Sequence, residues 1–471
     1  MRYIEKMTSI PVPHIYHWGT AAENPLGLGA FIIMDYIPHT QSLADILADP
    51  TVEDLNEQGL DPSFPRDKLE RMYRQVANIV LQLSKLSMPK IGSLNQDGDS
   101  SWTVSNRPLT QVMNDLIVQG GIPPSILPPE HTTYSTSAEY YTALADLHMA
   151  HLTLQHNDAI QSANDCRDKF IARHLFRQQV RQGKLLTPSP NSYTNSHSNP
   201  NPNSNPNRNP NSKEKETFKL YIDDFHPHNI LLDTNLNIVG VIDWEWAYFA
   251  PAAFTHDPPW WLLLLQPEAW RGGVLDFRDE FEGVVELFCK ILREVEEEEE
   301  DEKEREEERV ACGKGQEPRF DLGVVGDGSD EGEWDIDQHI GSLSLDVNKQ
   351  DLIRLSDRMR QNWASGAFWF DYAARGCYGF EPIFWEFLDK RWFGKNVDGG
   401  YEGRMHLLSE KVKGRMELFV ERKMDERDDY RIVDWDPEEA RAYLAEILAD
   451  LDSRQHADLN SESRPTPAPD L

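Results

Sequence analysis

Two short apolar runs, Asn229 to Leu232 and Ile238 to Asp243, flank Asp233-Thr234-Asn235-Leu236-Asn237, a cluster of turn-forming residues. Runs of this length joined by such a turn predict an antiparallel β-hairpin. If the loop is centred on Leu236, Asn229 faces Asp243 at the open end. Asp224 lies in the segment just ahead, five residues upstream of Asn229. One acid and one amide–carboxylate pair then meet at a single mouth, and the rest of the chain must fold around it.

Hard oxygen donors of this kind suit Mg²⁺, which keeps several of its waters and bridges phosphate oxygens. A separate carboxylate beside them can orient a hydroxyl and accept its proton. These are the minimal parts of phosphoryl transfer, where positioning and charge neutralisation supply most of the catalysis. Other uses compete for the same residues. Asp and Asn side chains also cap turns. His226 and His228 form an HxH pair of the metal-hydrolase kind. Pro227 between them, and the lack of a downstream His/Glu cluster, weigh against that use.

Asp224-Phe-His-Pro-His-Asn229, followed by Val241-Ile242-Asp243-Trp244-Glu245, resembles the aminoglycoside phosphotransferase/choline kinase-like family, relatives of the protein kinases. The family pattern is His-Gly-Asp-x-x-x-x-Asn and then Ile-Asp-Trp-Glu. The resemblance implies an α+β, protein kinase-like two-lobe fold with a small N-lobe and a large, mainly helical C-lobe. It makes Asp224 the catalytic base and Asn229 and Asp243 the Mg²⁺ ligands. ATP becomes the donor and a small-molecule hydroxyl the acceptor. Thr8 to Pro13 matches the link out of the small-lobe helix, and Phe31 to Ile37 matches the strand and hinge. The hinge backbone at Asp35, Tyr36 and Ile37 is then expected to hold adenine.

Two positions depart from the family. Ile222-Asp223 stands where the family has His-Gly. The family also places a phosphate-covering loop and a strand lysine before the helix that precedes Thr8, and this sequence opens at Met1 within that helix. A backbone nest plus a lysine normally neutralises nucleotide phosphates. The expectation is therefore an incomplete, N-terminally truncated small lobe that binds ATP poorly, or a longer protein that starts upstream. The alternative is a catalytically dead, pseudokinase-like binding or scaffold protein.

Elsewhere, Met72, Val76, Ile79, Val80, Leu83 and Leu86 fall at helical spacing with one apolar face. Ser137 to Phe176 reads as two more helices. Pro190 to Asn211 is almost entirely Asn, Pro and Ser. Such sequence cannot bury enough apolar surface to offset the entropy of ordering, so a disordered insertion is expected at about residues 187–214. Glu294 to Arg309 is rich in Glu and is expected to extend a helix through solvent. The expected organisation is residues 1–47 as small-lobe remnant and hinge, and 48–293 as large lobe with the hairpin. Residues 294–346 follow as an acidic, largely disordered insertion, 347–452 as the helical C-terminal part of the large lobe, and 453–471 as a disordered tail.

Lys and Arg number 47 against 80 Asp and Glu, a net charge of −33. That balance repels nucleic-acid phosphate and anionic lipid, so neither is an expected partner. No protein partner is specified. Trp260 to Leu265, the longest strongly apolar run, is too short to span a bilayer. Cys166, Cys289, Cys312 and Cys377 are scattered and form no CxxC pair. A reducing, cytoplasmic setting is expected. Weaker candidates are His148 with His151 as metal ligands, Asp158 or Asp165 as acids holding a cationic acceptor, and Trp260-Trp261 or Phe368-Trp369-Phe370 as an aromatic wall. Core packing, capping and ion pairing compete for each of them.

Overall fold

The computed structural model describes residues 1–54, 57–97, 101–186, 216–313, 353–429 and 434–452. The expected insertion at 187–214, residues 314–346 of the acidic stretch and the tail at 453–471 lie outside the described residues. Helices dominate and short strands are interleaved with them, an α+β arrangement.

The chain opens with a short helix, α1 (Arg2–Met7), anchored by buried Tyr3 and Ile4. An antiparallel ribbon follows, β1 (Ile15–Gly19) and β2 (Phe31–Met34), paired from Ile15↔Met34 to Gly19↔Phe31. Trp18, Ile32 and Ile33 on this ribbon are exposed. β2 stops at Met34 rather than continuing to Ile37. Asp35 N still donates to His14 O at 3.0 Å, but Pro38 has no N–H and the chain leaves the ribbon for the hairpin.

β3 (Gln41–Ser42) leads into α2 (Leu43–Leu47), where Ser42 and Asp45 form a reciprocal capping box. In α3 (Arg66–Lys85) Met72, Val76, Ile79 and Leu83 of the expected face are buried, joined by Leu69 and Tyr73, while Val80 is half-buried and Leu86 is buried just past the helix end. Then come β4 (Ser87–Met88), the hairpin of β5 (Ser93–Asp97) and β6 (Ser101–Asn106), and α4 (Gln111–Val118). The two expected helices are α5 (Ser137–Leu154) and α6 (Ala163–Arg181). α5 is buried on several sides, which is why its sequence is apolar nearly all round.

β7 (Phe218–Ile222), β8 (Ile230–Leu232), β9 (Ile238–Val241) and β10 (Ala247–Ala250) complete two small sheets, ordered β10-β7-β4 and β3-β8-β9. The remaining helices are α7 (Ala252–His256), α8 (Gly273–Gly313), α9 (Leu355–Ser365), α10 (Ala367–Arg375), α11 (Phe380–Ile383), α12 (Asp389–Phe393), α13 (Glu410–Asp429) and α14 (Pro437–Asp452). A π-helical turn, Phe384–Leu388, joins α11 to α12.

The boundary expected at 294 falls inside α8, a single helix of 41 residues. Its first glutamates are not merely solvated, because partners meet them from both sides. Arg74 of α3 pairs with Glu294 and Glu298, and Lys85 with Glu299. Arg354 pairs with Glu297 at 2.7 Å and Glu300 at 2.6 Å. Buried Glu296 accepts from Leu355 N at 2.6 Å and Ser356 Oγ at 2.5 Å, which satisfies orphan donors at the start of α9. The Glu-rich start of this stretch is thus packed structure as well as a charged face. Among the described residues no helix is long and apolar enough to cross a membrane. Cys166, Cys289 and Cys377 are buried free thiols, each pushed up to about 12 by burial.

Candidate functional site

The loop after β7 is held by backbone bonds from Asp223 N to Trp246 O (3.2 Å) and Phe225 N to Ile222 O (3.3 Å). A 3₁₀ turn, Pro227–Asn229, then delivers Asn229 to the start of β8. Asn229 Nδ2 donates to Asp224 O at 2.9 Å and to Asp224 Oδ2 at 3.1 Å. The other carboxylate oxygen, Oδ1, lies 2.9 Å from His226 Nε2. His228 N donates to His226 Nδ1 at 3.2 Å. That bond makes Nδ1 the acceptor and leaves the ring proton on Nε2, the nitrogen nearer Asp224.

The hairpin forms as expected but its register differs by one residue. Ile230 pairs with Val241 and Leu231 with Gly240, while Leu232 pairs with Ile238. Val239 is the extra residue of a bulge. Ile242 N donates to Asn229 O at 3.0 Å, so Asn229 faces Ile242 and Asp243 sits one position beyond. Asp243 has φ +61°, a left-handed conformation that Asp tolerates better than most side chains. Directly after it, buried Trp244 donates from Nε1 to Val241 O at 2.9 Å and anchors the turn. Asp243 itself is exposed.

Carboxylates crowd this mouth. Burial first, and then the charge of Asp224, raise the pKa of Asp243 above its ordinary value. Glu245 is raised by burial, then by Asp243 and Asp224. Among the described residues no lysine or arginine pairs with Asp224, Asp243 or Glu245. Such mutual repulsion is the electrostatic condition a bound cation relieves. The donor set fits a hard divalent ion, since the Asn229 amide spends its N–H groups on Asp224 and keeps Oδ1 as an acceptor, with the Asp243 carboxylate one position along the opposite strand. Among the described residues no group of three or more His, Cys, Asp or Glu side chains is placed to hold a metal.

Asp223 enters the sequence reading only as a departure from the family pattern and as a possible partner of the His226–His228 pair; the structure gives it another place. Burial raises its pKa to about 7, and it accepts from Gln111 N at 3.1 Å and Tyr248 OH at 3.3 Å. It ties the loop after β7 to the first residue of α4. The signal was the Asp223-Asp224 doublet, whose two acids have separate jobs.

The expected nucleotide contacts lie along the strap between β2 and β3. Tyr16 OH donates to Asp35 Oδ1 at 2.6 Å, Tyr36 is exposed, and His39 Nδ1 meets Ile37 O at 2.9 Å. Ile37 packs over Gly240, where a Cβ would come within 2.5 Å of Ile37 Cδ1. Thr40 N donates to Leu232 O at 2.8 Å, and Val241 N to Pro11 O at 2.8 Å. Both links to the β1–β2 ribbon thus run along the hairpin that presents Asn229 and Asp243. Glu5 of α1 is engaged by His14 Nδ1 at 2.7 Å.

No family model, curated protein or solved structure matches this chain.

The weaker candidates divide. His148 and His151 are buried, and Arg173 Nη1 donates to His148 O at 2.8 Å and His151 Nδ1 at 2.9 Å. Burial takes His148 down to about 3, the behaviour of a core residue. Asp165 accepts from Gln161 N at 2.7 Å and pairs with Lys169 at 3.0 Å, so it serves the start of α6. Asp158 occupies a turn at φ +60°. Phe368, Trp369 and Phe370 are core. Trp260 and Trp261, by contrast, line a cavity behind the loop.

Proposed function

We propose that the chain is an aminoglycoside phosphotransferase-like, protein kinase-like two-lobe protein that transfers phosphate from ATP to a small-molecule hydroxyl. The observation that carries this reading is the Asp224 carboxylate, bonded by Asn229 and flanked by His226, close to the Asp243 carboxylate in a mouth of crowded negative charge. Asp224 takes the acceptor hydroxyl's proton as its oxygen bonds to the γ-phosphorus and ADP leaves. His226 and Asn229 keep the carboxylate aimed. Mg²⁺ held by Asn229 and Asp243 would supply charge neutralisation of the nucleotide phosphates. The backbone at Asp35, Tyr36 and Ile37 would face the adenine, and a cytoplasmic location follows from the thiols and the ATP.

A second reading, a catalytically dead pseudokinase-like binding protein, is favoured by one observation. The hairpin register sets Ile242, not Asp243, opposite Asn229, so the two oxygen donors are not directly opposed. Turnover decides between the two. Protein incubated with Mg²⁺, γ-labelled ATP and a panel of amino sugars, amino alcohols, sugars and hydroxy amino acids is expected to label at least one acceptor. Asp224→Ala is expected to abolish labelling with the fold intact. Mg·ATP binding without labelling of any acceptor would select the second reading. Labelling that survives Asp224→Ala would remove Asp224 from the mechanism.

A further inference from the structure

Of the fifteen large apolar side chains that the described residues leave exposed, nine lie between Met7 and Tyr36. On the ribbon itself Trp18, Ile32 and Ile33 are each more than half exposed. Among the described strands β1 and β2 pair only with each other. So dense a patch marks a contact surface.

The two edges of the ribbon differ. The register of β1 against β2 shifts between Ile15 and His17, which makes Tyr16 the extra residue of a bulge. A bulge blunts an edge against further pairing. β2 has no such guard, since Phe31-Ile-Ile-Met34 contains no Pro, Gly or charged residue. Asp35 N donates to His14 O at 3.0 Å, so its backbone turns toward β1. Backbone groups alternate along an antiparallel strand. Phe31 and Ile33 therefore turn inward with Asp35, and Ile32 and Met34 point their N–H and C=O groups outward.

Charge decides what can pair there. The chain has a net charge of −33, yet neither strand of the ribbon carries Asp, Glu, Lys or Arg. The acids that flank the strands are engaged within the ribbon. Tyr16 OH donates to Asp35 at 2.6 Å, and Thr20 N and Oγ1 donate to Glu23 at 2.7 and 2.9 Å. A basic partner finds no acid on this edge to pair with. A second copy of the chain, repelled by most of its own surface, can approach here. Antiparallel pairing about a two-fold axis at Ile32 sets Ile32 against itself, Met34 against Ala30, and Asp35 against Gly29. At about 3.4 Å per residue the two Asp35 carboxylates then stand about 20 Å apart, well beyond the ~8 Å screening length of physiological salt. Parallel pairing would put them side by side.

We propose that β2 is a self-association edge, pairing antiparallel with β2 of a second copy in a four-stranded sheet ordered β1-β2-β2-β1. Trp18 lies opposite Ile32 in the ribbon, so one face of that sheet carries the row Trp18, Ile32, Ile32, Trp18 across the axis. The dyad makes the contact isologous, and its small extent makes the dimer weak and reversible. The interface stands apart from the phosphotransferase reading, since it uses neither the proposed base nor the proposed metal ligands.

Sedimentation equilibrium of the full chain in physiological salt, over a wide range of concentration, tests it. The expected result is a reversible monomer–dimer equilibrium in the micromolar range. Ile32→Glu and Ile32→Lys each set like charges across the axis and are expected to weaken dimerisation by about 100-fold. Both are expected to melt like the parent monomer, because Ile32 is exposed. Mixing the two variants is expected to restore dimers, as opposite charges then meet at the axis. A chain that stays monomeric at every concentration would overturn the proposal and leave the ribbon to a different protein. Dimers undiminished in both single variants would place the interface elsewhere, and a mixture no more associated than either variant alone would remove the axis from Ile32.

Discussion

His226 Nε2 lies 2.9 Å from Asp224 Oδ1 while Asn229 Nδ2 donates to Oδ2 at 3.1 Å, so a nitrogen flanks each carboxylate oxygen. The contact at Oδ1 depends on the His226 tautomer, and the tautomer depends on His228 N. In the phosphotransferase reading, His226→Ala is expected to lower kcat by about 10²-fold through loss of aim, with KM nearly unchanged. His226→Asn restores an N–H donor at similar reach and is expected to recover part of that loss. Steady-state kinetics on the three proteins check this. An unchanged kcat in His226→Ala would make the contact structural only.

Asp243 combines a left-handed backbone with a carboxylate crowded by Asp224. Asp243→Gly relieves both and is expected to stabilise the metal-free protein by about 1 kcal/mol. The same change is expected to abolish stabilisation by Mg·ATP, because a ligand that binds only the native state raises stability in proportion to its affinity. Thermal melts with and without Mg·ATP read both effects. A Mg·ATP shift that persists in Asp243→Gly would place the metal elsewhere.

Gly240 lies under Ile37, with room for hydrogen and not for carbon. Gly240→Val is expected to cost about 1–3 kcal/mol by overpacking. Ile37→Ala in the same chain is expected to return part of it, since the clash is with the tip of that side chain. Denaturant melts of the two single variants and the double give the coupling, and strictly additive effects would mean the strap does not rest on the hairpin.

Glu296 satisfies Leu355 N and Ser356 Oγ from another helix, and it is buried while doing so. Glu296→Ala is expected to cost about 1–2 kcal/mol, the scale of a lost helix cap. Hydrogen exchange should localise the effect to the first turn of α9. Unaltered protection there would assign the cost to α8 packing instead.

Asp223 gives stability a pH dependence of definite sign. Its folded pKa of about 7 stands above the ordinary value of 3.8, so the folded state holds the proton more tightly than the unfolded chain. Stability is then full below the lower value, falls as pH rises from 3.8 to about 7, and is flat above that. Asp371, raised to about 7 chiefly by burial, adds slope of the same sign. Asp223→Asn is expected to flatten the curve between pH 4 and 7 and to melt higher than the parent at pH 8. An identical pH profile for the variant would mean that Asp223 is solvated enough to ionise freely.

Much of the site was legible because it is local. α3 showed itself in the spacing of Met72, Val76 and Leu83, and the hairpin in its turn cluster between apolar runs. Local patterns do not encode a bulge, so Val239 displaced the register and moved Asn229 from Asp243 to Ile242. The Glu-rich stretch from Glu294 continues a helix as expected, but its ion pairs were not legible. They are made with Arg74, Lys85 and Arg354, residues remote in sequence that no window around Glu294 contains. The two jobs of Asp223 and Asp224 depend likewise on Gln111, Tyr248 and His226, and only the last is a neighbour in the chain.

The ribbon of β1 and β2 is moored to the body at two points, and both are on one hairpin. Pro11 O receives Val241 N from β9, and Thr40 N reaches Leu232 O on β8. Any displacement of the exposed ribbon would pull on the strands next to Asn229 and Asp243, so these two bonds couple the ribbon to the candidate site.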